Sequence, residues 1–145
     1  MRSTTSFARS SSASRRLSEL CRPGAARATD PRVRDAWNAV AMLKCSVDAS
    51  GKGWFAGPWD SSVPVAVGWA DVGVDEPHAH DTMHEIYLVA RGTSSAVVNG
   101  DRVELQAGDL LVVEPGELHT FAESSDDYLH FVVQAPFVEG DKRIP

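Results

Sequence analysis

Between residues 63 and 134 the chain is a succession of short runs, most of them apolar or β-branched, separated by turn signals such as glycine, proline, asparagine or a serine-aspartate stretch. Runs of this length with such ends read as strands, and strands at this spacing build a sandwich or a barrel. They cover 63–72, 76–80, 85–91, 94–98, 102–105, 110–113, 118–122 and 128–134. Asn99-Gly100 sits between two of them and is the strongest short signal for a hairpin, because a tight turn needs positive φ at both central residues. No helical periodicity follows residue 45. The pattern predicts an all-β domain over residues 61–145, an antiparallel jelly roll of about eight strands closed as a barrel.

Side chains on a strand alternate faces, so one inward residue fixes its neighbours. If Glu85 points inward, Tyr87 and Val89 follow it, while His84, Ile86, Leu88 and Ala90 face the other way. Apart from His84, that second face is apolar too. Strands apolar on both faces are covered on both sides, which predicts packing against the lead-in or against a second copy in a homodimer. His119 takes Phe121 with it in the same manner. In the last run Tyr128, His130, Val132 and Gln134 oppose Leu129, Phe131 and Val133. A lone histidine such as His130 is more often satisfied in packing or exposed than catalytic, and a pocket role is the alternative.

Ahead of the strands, residues 35–60 form a lead-in. Its first part, 35–44, reads as a short helix or as a continuation of the head. Its second part alternates glycine with Trp54, Phe55 and Trp59 and reads as a loop or edge strand. Three of the four tryptophans lie in the lead-in (Trp37, Trp54, Trp59), where they either form a lid or cover an outer face of the sheet, the commoner use of such rings. Only fifteen residues separate Gly92 from Gly108, too few for an inserted subdomain.

Charge divides the chain. Residues 1–34 hold eight arginines against Glu19 and Asp30, a balance of +6, and the remainder carries −12. A folded part this acidic repels phosphate backbones, which argues against nucleic acid as a partner. The head is rich in Ser, Arg and Ala, with little to bury, and is expected to be disordered. The same composition suits a mitochondrial or plastid transit peptide, or an upstream extension of a gene whose working start is Met42. Without a transit role the chain is expected in the cytoplasm. Cys21 and Cys45 cannot make a disulfide framework or a C-x-x-C site, which leans toward a reducing compartment. No apolar run approaches the roughly 18 residues of a membrane helix.

The chemistry concentrates in His78-Ala79-His80-Asp81-Thr82-Met83-His84-Glu85. Two histidines one residue apart share a face only on a strand. A further histidine, His119, closes Glu114-Pro115-Gly116-Glu117-Leu118-His119. Imidazole nitrogens with a carboxylate oxygen suit Zn, Fe, Mn, Ni or Cu.

These residues resemble the two motifs of the cupin superfamily, in particular its small single-domain members. The first motif runs through Gly73, His78, His80, Glu85 and Gly92, with four residues before the glutamate and six after it. The second runs through Gly108, Pro115-Gly116 and His119. Three positions depart from the pattern: one residue is missing between Gly73 and His78, Glu114 replaces a proline, and Glu123 replaces an asparagine. None touches a ligand position. The resemblance covers residues 61–136 and implies His78, His80, Glu85 and His119 as ligands of one divalent transition metal, Fe, Mn, Zn or Ni. His84 competes with Glu85, since the family accepts a gap of three or four residues, and the coherent face of Glu85, Tyr87 and Val89 favours Glu85.

The expected pocket then has a metal at one end, Tyr87 and Phe121 as walls, and His130 as a further candidate. Tyr87 is the candidate acid or base. The resemblance implies a small metalloenzyme, a dioxygenase, isomerase, cyclase or lyase acting on a small organic molecule. A metal-dependent binding module without turnover is the alternative. A transcription regulator is disfavoured, because no residues remain for a DNA-binding domain, and storage members of the family usually fuse two barrels.

Overall fold

The computed structural model describes residues 21–23, 43–47, 50–73 and 76–145, and divides the chain into two units, 1–46 and 47–145. In the first unit Cys21–Pro23 (β1) pairs antiparallel with Leu43–Cys45 (β2), and Cys21 stands opposite Cys45. Cys45 is disulfide-bonded, so it gives no support to the reducing compartment expected from the cysteine count. The short helix expected over 35–44 gives way to a strand at Leu43 and Lys44, because helix propensity is a weak preference that strand pairing overrides. The rest of that segment, Trp37 included, lies outside the described residues. So does most of the head expected to be disordered, where Cys21–Pro23 is a paired strand.

The described residues of the second unit hold ten strands: Lys52–Ala56 (β3), Ala66–Ala70 (β4), Ala79–His80 (β5), His84–Arg91 (β6), Thr93–Val98 (β7), Asp101–Gln106 (β8), Leu110–Val113 (β9), His119–Ser124 (β10), Leu129–Ala135 (β11) and Lys142–Arg143 (β12). The described residues contain no helix. One sheet runs in the order β3-β4-β11-β6-β9, a second in the order β10-β7-β8, and β12 pairs with β5. All these pairings are antiparallel. Among the described residues no helix is long and apolar enough to cross a membrane.

Register carries period two across the large sheet. Gln134, Glu85 and Val113 form one cross-strand row, and Val132, Tyr87 and Leu111 the next. These rows face the small sheet, and Tyr87, Val89, Val113, Ala96, Leu105, Phe121 and Tyr128 close between the two as the core. The β7–β8 hairpin turns at Asn99 and Gly100 with φ of 53° and 94°, the positive pair its sequence predicts. At Gly92 the constraint is space as well as φ, since a Cβ there would lie 2.8 Å from the Tyr128 Cα.

The aromatic lead-in divides along β3, where the register shifts at a bulge between Trp54 and Ala56. Phe55 goes to the outer face, against Trp69 and Phe131 at 6.4 and 6.0 Å between ring centres. Trp54, paired with Gly68, lies on the inner row, and a Cβ on Gly68 would meet its ring at 2.9 Å. Trp59 packs edge-on to Trp54 and Phe137. Beyond Phe55 the outer face is less covered: Leu88, Leu110 and Val112 are 40, 57 and 42 % exposed.

Candidate metal centre

The two motifs meet through the backbone. His78 and His119 exchange N–H···O bonds of 3.0 and 2.9 Å in an isolated antiparallel bridge, which brings their rings to 4.3 Å. His80 follows His78 on the same face, and Glu85 enters from the inner row of β6. All four side chains are buried. Their donor atoms converge on one carboxylate oxygen. Glu85 Oε2 lies 3.4 Å from His78 Nε2, 3.4 Å from His80 Nε2 and 2.7 Å from His119 Nε2. Donor atoms of His78, His80 and Glu85 lie within 4.8 Å of one another, with His119 adjoining through Glu85.

Hydrogen bonds fix these groups from behind. Gln134 Nε2 donates to Glu85 Oε1 at 2.8 Å, leaving Oε2 for the centre. His78 Nδ1–H donates to the Glu76 carbonyl at 2.8 Å and His119 Nδ1–H to the Glu117 carbonyl at 3.0 Å. Both contacts leave Nε2 as the nitrogen directed at the centre, the arrangement usual for metal-binding histidines. Burial alone would raise the Glu85 pKa, but the close approach of the His119, His78 and His80 imidazoles and the Gln134 amide outweighs it and holds the group anionic, far below the usual carboxylate range. Burial opposes charge on His119, yet its bond to Glu85 lifts its pKa above the ordinary imidazole value.

The donor set therefore fits a metal ion. Three Nε2 atoms crowd one anionic oxygen, which requires protons or a cation among them. Both ring nitrogens of His80 are buried without a hydrogen-bond partner. Such a loss costs about 1–3 kcal/mol for a neutral group, and a metal at Nε2 would recover part of it.

Other predicted residues fall into place around this cluster. Tyr87 donates its hydroxyl to Glu85 Oε2 at 3.0 Å and sits 3.2 Å from His119 Nε2. Phe121 packs edge-on to Tyr87 at 5.0 Å and stacks on His130 at 5.0 Å. His130 is buried with its Nδ1 2.9 Å from the Tyr128 hydroxyl, so it forms part of an aromatic floor. Burial raises the Tyr128 pKa to about 12, against a hydrogen bond from Ser94, and that hydroxyl stays protonated. His84 stands outside, its Nε2 2.8 Å from Glu114 on the surface.

Two residues of this neighbourhood went unread in the sequence. Gln134 shared its predicted face with His130, and only its register with Glu85 gives it a role. Asp141 lies past Pro136, where the strand pattern stops. Its carboxylate accepts from Thr82 N, Met83 N and Thr82 Oγ1, each at 3.0 Å, and Oδ2 stands 3.8 Å from His80 Nδ1.

Residues 69–134 match the family model described as a cupin domain. Those residues form a cupin domain. No curated protein matches it by sequence. Among solved structures it is similar to Pac13 of Streptomyces, a nucleoside dehydratase solved with uridine (22 % identity, TM-score 0.53, 63 % of this chain and 74 % of that one). It is similar to KdgF from Halomonas sp. (21 %, 0.52, 61 % and 79 %) and to the DMSP lyase DddQ from Ruegeria pomeroyi (18 %, 0.55, 65 % and 50 %). At these identities the likeness is one of fold. The cupin also absorbs two departures from its motifs: Glu114 pairs with His84, and Glu123 pairs with Arg102 at 2.9 Å.

Proposed function

We propose that His78, His80, Glu85 and His119 hold one divalent transition metal and that this cupin is a small metalloenzyme acting on a small organic molecule. The single observation that carries the reading is the convergence of three imidazole nitrogens on the inward oxygen of a buried glutamate. Bound there, Fe, Mn, Zn or Ni would supply Lewis acidity, with coordination positions left for a substrate. The chain's own part is to hold the glutamate anionic through Gln134, to orient His78 and His119 through backbone carbonyls, and to keep a phenol, Tyr87, beside the centre. Of the dioxygenase, isomerase, cyclase and lyase classes we favour a lyase-type elimination, which needs a base and a Lewis acid but no oxidant. Pac13 and DddQ are named for a dehydratase and a lyase, in keeping with this choice.

The second reading, a binding module without turnover, is favoured by one observation: the Tyr87 hydroxyl is already engaged by Glu85 and His119. Anaerobic purification with metal analysis, followed by turnover and oxygen-uptake assays on small hydroxy acids, phenols and nucleosides, separates the two. Metal at one equivalent with product formation supports the enzyme. Metal-loaded protein that binds but converts nothing leaves the module.

A homodimer covering Leu88, Leu110 and Val112 completes the proposal. We place the chain in the cytoplasm, with an organelle as the alternative if residues 1–34 act as a transit peptide. Fluorescent fusions with and without that segment distinguish these compartments.

A further inference from the structure

His80 differs from the other imidazoles of the centre. His78 and His119 each meet a backbone carbonyl two residues earlier in the chain. The corresponding carbonyl for His80 is that of His78, which already accepts the His119 N–H. Nδ1 of His80 instead faces the Asp141 carboxylate across 3.8 Å, with the two side chains only 4 and 6 % exposed.

Asp141 is not there by accident of a loose terminus. It accepts three hydrogen bonds from Thr82 and Met83, the turn that links His80 to β6. Lys142 and Arg143 pair with His80 and Ala79, and Arg143 Nε lies 2.6 Å from Asp81 Oδ1. Val138 N–H reaches Met83 Sδ at 3.0 Å. The segment after Pro136 therefore clasps the ligand turn on both sides of His80.

We infer that Asp141 is the positioning residue of His80, accepting its Nδ1–H and so presenting Nε2 to the metal. The inference rests on the metal reading given above. A shift of about 1 Å brings the pair to the length of a charge-assisted hydrogen bond. A carboxylate in this place makes His80 a more electron-rich ligand than its two carbonyl-backed neighbours.

The test compares wild type with Asp141→Asn and Thr82→Val. Asn is nearly isosteric and can keep the turn's hydrogen bonds while losing the charge. Thr82→Val removes one turn bond and leaves the carboxylate. Three quantities are read: Zn affinity by chelator competition, the visible spectrum of the Co-loaded protein, and the Tm of the metal-free protein. Asp141→Asn is expected to weaken Zn binding by roughly 10-fold or more, to change the Co spectrum, and to leave the metal-free Tm near wild type. Thr82→Val is expected to lower that Tm and leave Zn affinity close to wild type. Equal Zn affinity and an unchanged Co spectrum in Asp141→Asn overturn the inference, and so does a Thr82→Val protein that loses as much affinity as Asp141→Asn. Nitrogen NMR of the metal-free protein separates this failure from that of the metal reading. A wild type that takes up no metal while His80 still holds its proton on Nδ1 against Asp141 overturns the metal and keeps the contact.

Discussion

Gln134 reaches Glu85 from the neighbouring strand, its Nε2 donating to Oε1 at 2.8 Å across a cross-strand pair. The amide occupies the outer oxygen of the carboxylate and leaves the inner one to the three histidines. Replacing Gln134 by Leu removes that donor while keeping a similar volume. Metal affinity is expected to fall by about 10–100-fold, the usual effect of losing a group that orients a ligand. Titration against a competing chelator measures it, and an unchanged constant would show that Glu85 needs no such support.

Glu85 and His84 are adjacent but face opposite ways, one buried in the cluster and the other half-exposed beside Glu114. Glu85→Gln is therefore expected to lose most of the bound metal, and His84→Gln to keep it. Elemental analysis of the two purified proteins decides. Loss of metal in His84→Gln alone reverses the assignment.

Tyr87→Phe removes one hydroxyl and almost no volume. If the phenol moves a proton during turnover, the rate is expected to fall by roughly 100-fold or more with metal retained. If the chain only binds, affinity is expected to change by about 1 kcal/mol, the worth of one hydrogen bond. Paired measurements of kcat and ligand Kd distinguish the outcomes.

Leu88 pairs with Leu110 and Ile86 with Val112 on the outer side of β6 and β9, where three of the four are exposed. Standard interfaces bury about 800 Å² per partner and exclude charge from their centre. The wild type is expected to sediment as a dimer and Leu88→Asp as a monomer. A monomeric wild type removes the dimer from the account.

Much of this arrangement is legible in the residues themselves. Alternation puts Glu85, Tyr87 and Val89 on one face, and Asn99-Gly100 marks its hairpin, because each depends only on local geometry. The segment 76–80 reads as a five-residue strand, yet only Ala79 and His80 form one, with His78 in a lone bridge. Its partner β12 is two residues long and ends the available ladder. That partner carries no sequence signal, and neither does Asp141, whose place depends on where the segment after Pro136 returns. Trp54 and Phe55 are equally ambiguous on paper. Alternation sends these neighbouring rings to opposite faces, but which ring lies inside depends on the register against Gly68.

The bridge between His78 and His119 also bears on how the molecule is assembled. It joins residues far apart in the chain, and His119 is also paired with Val98 in the small sheet. Contacts of such long sequence separation form late, after the entropy of closing the intervening loop has been met. An ion that needs both histidines thus has nothing to grip in the early collapsed chain. If the proposed metal binds, it would act as a latch on a finished barrel, slowing its opening while leaving the rate of folding unchanged.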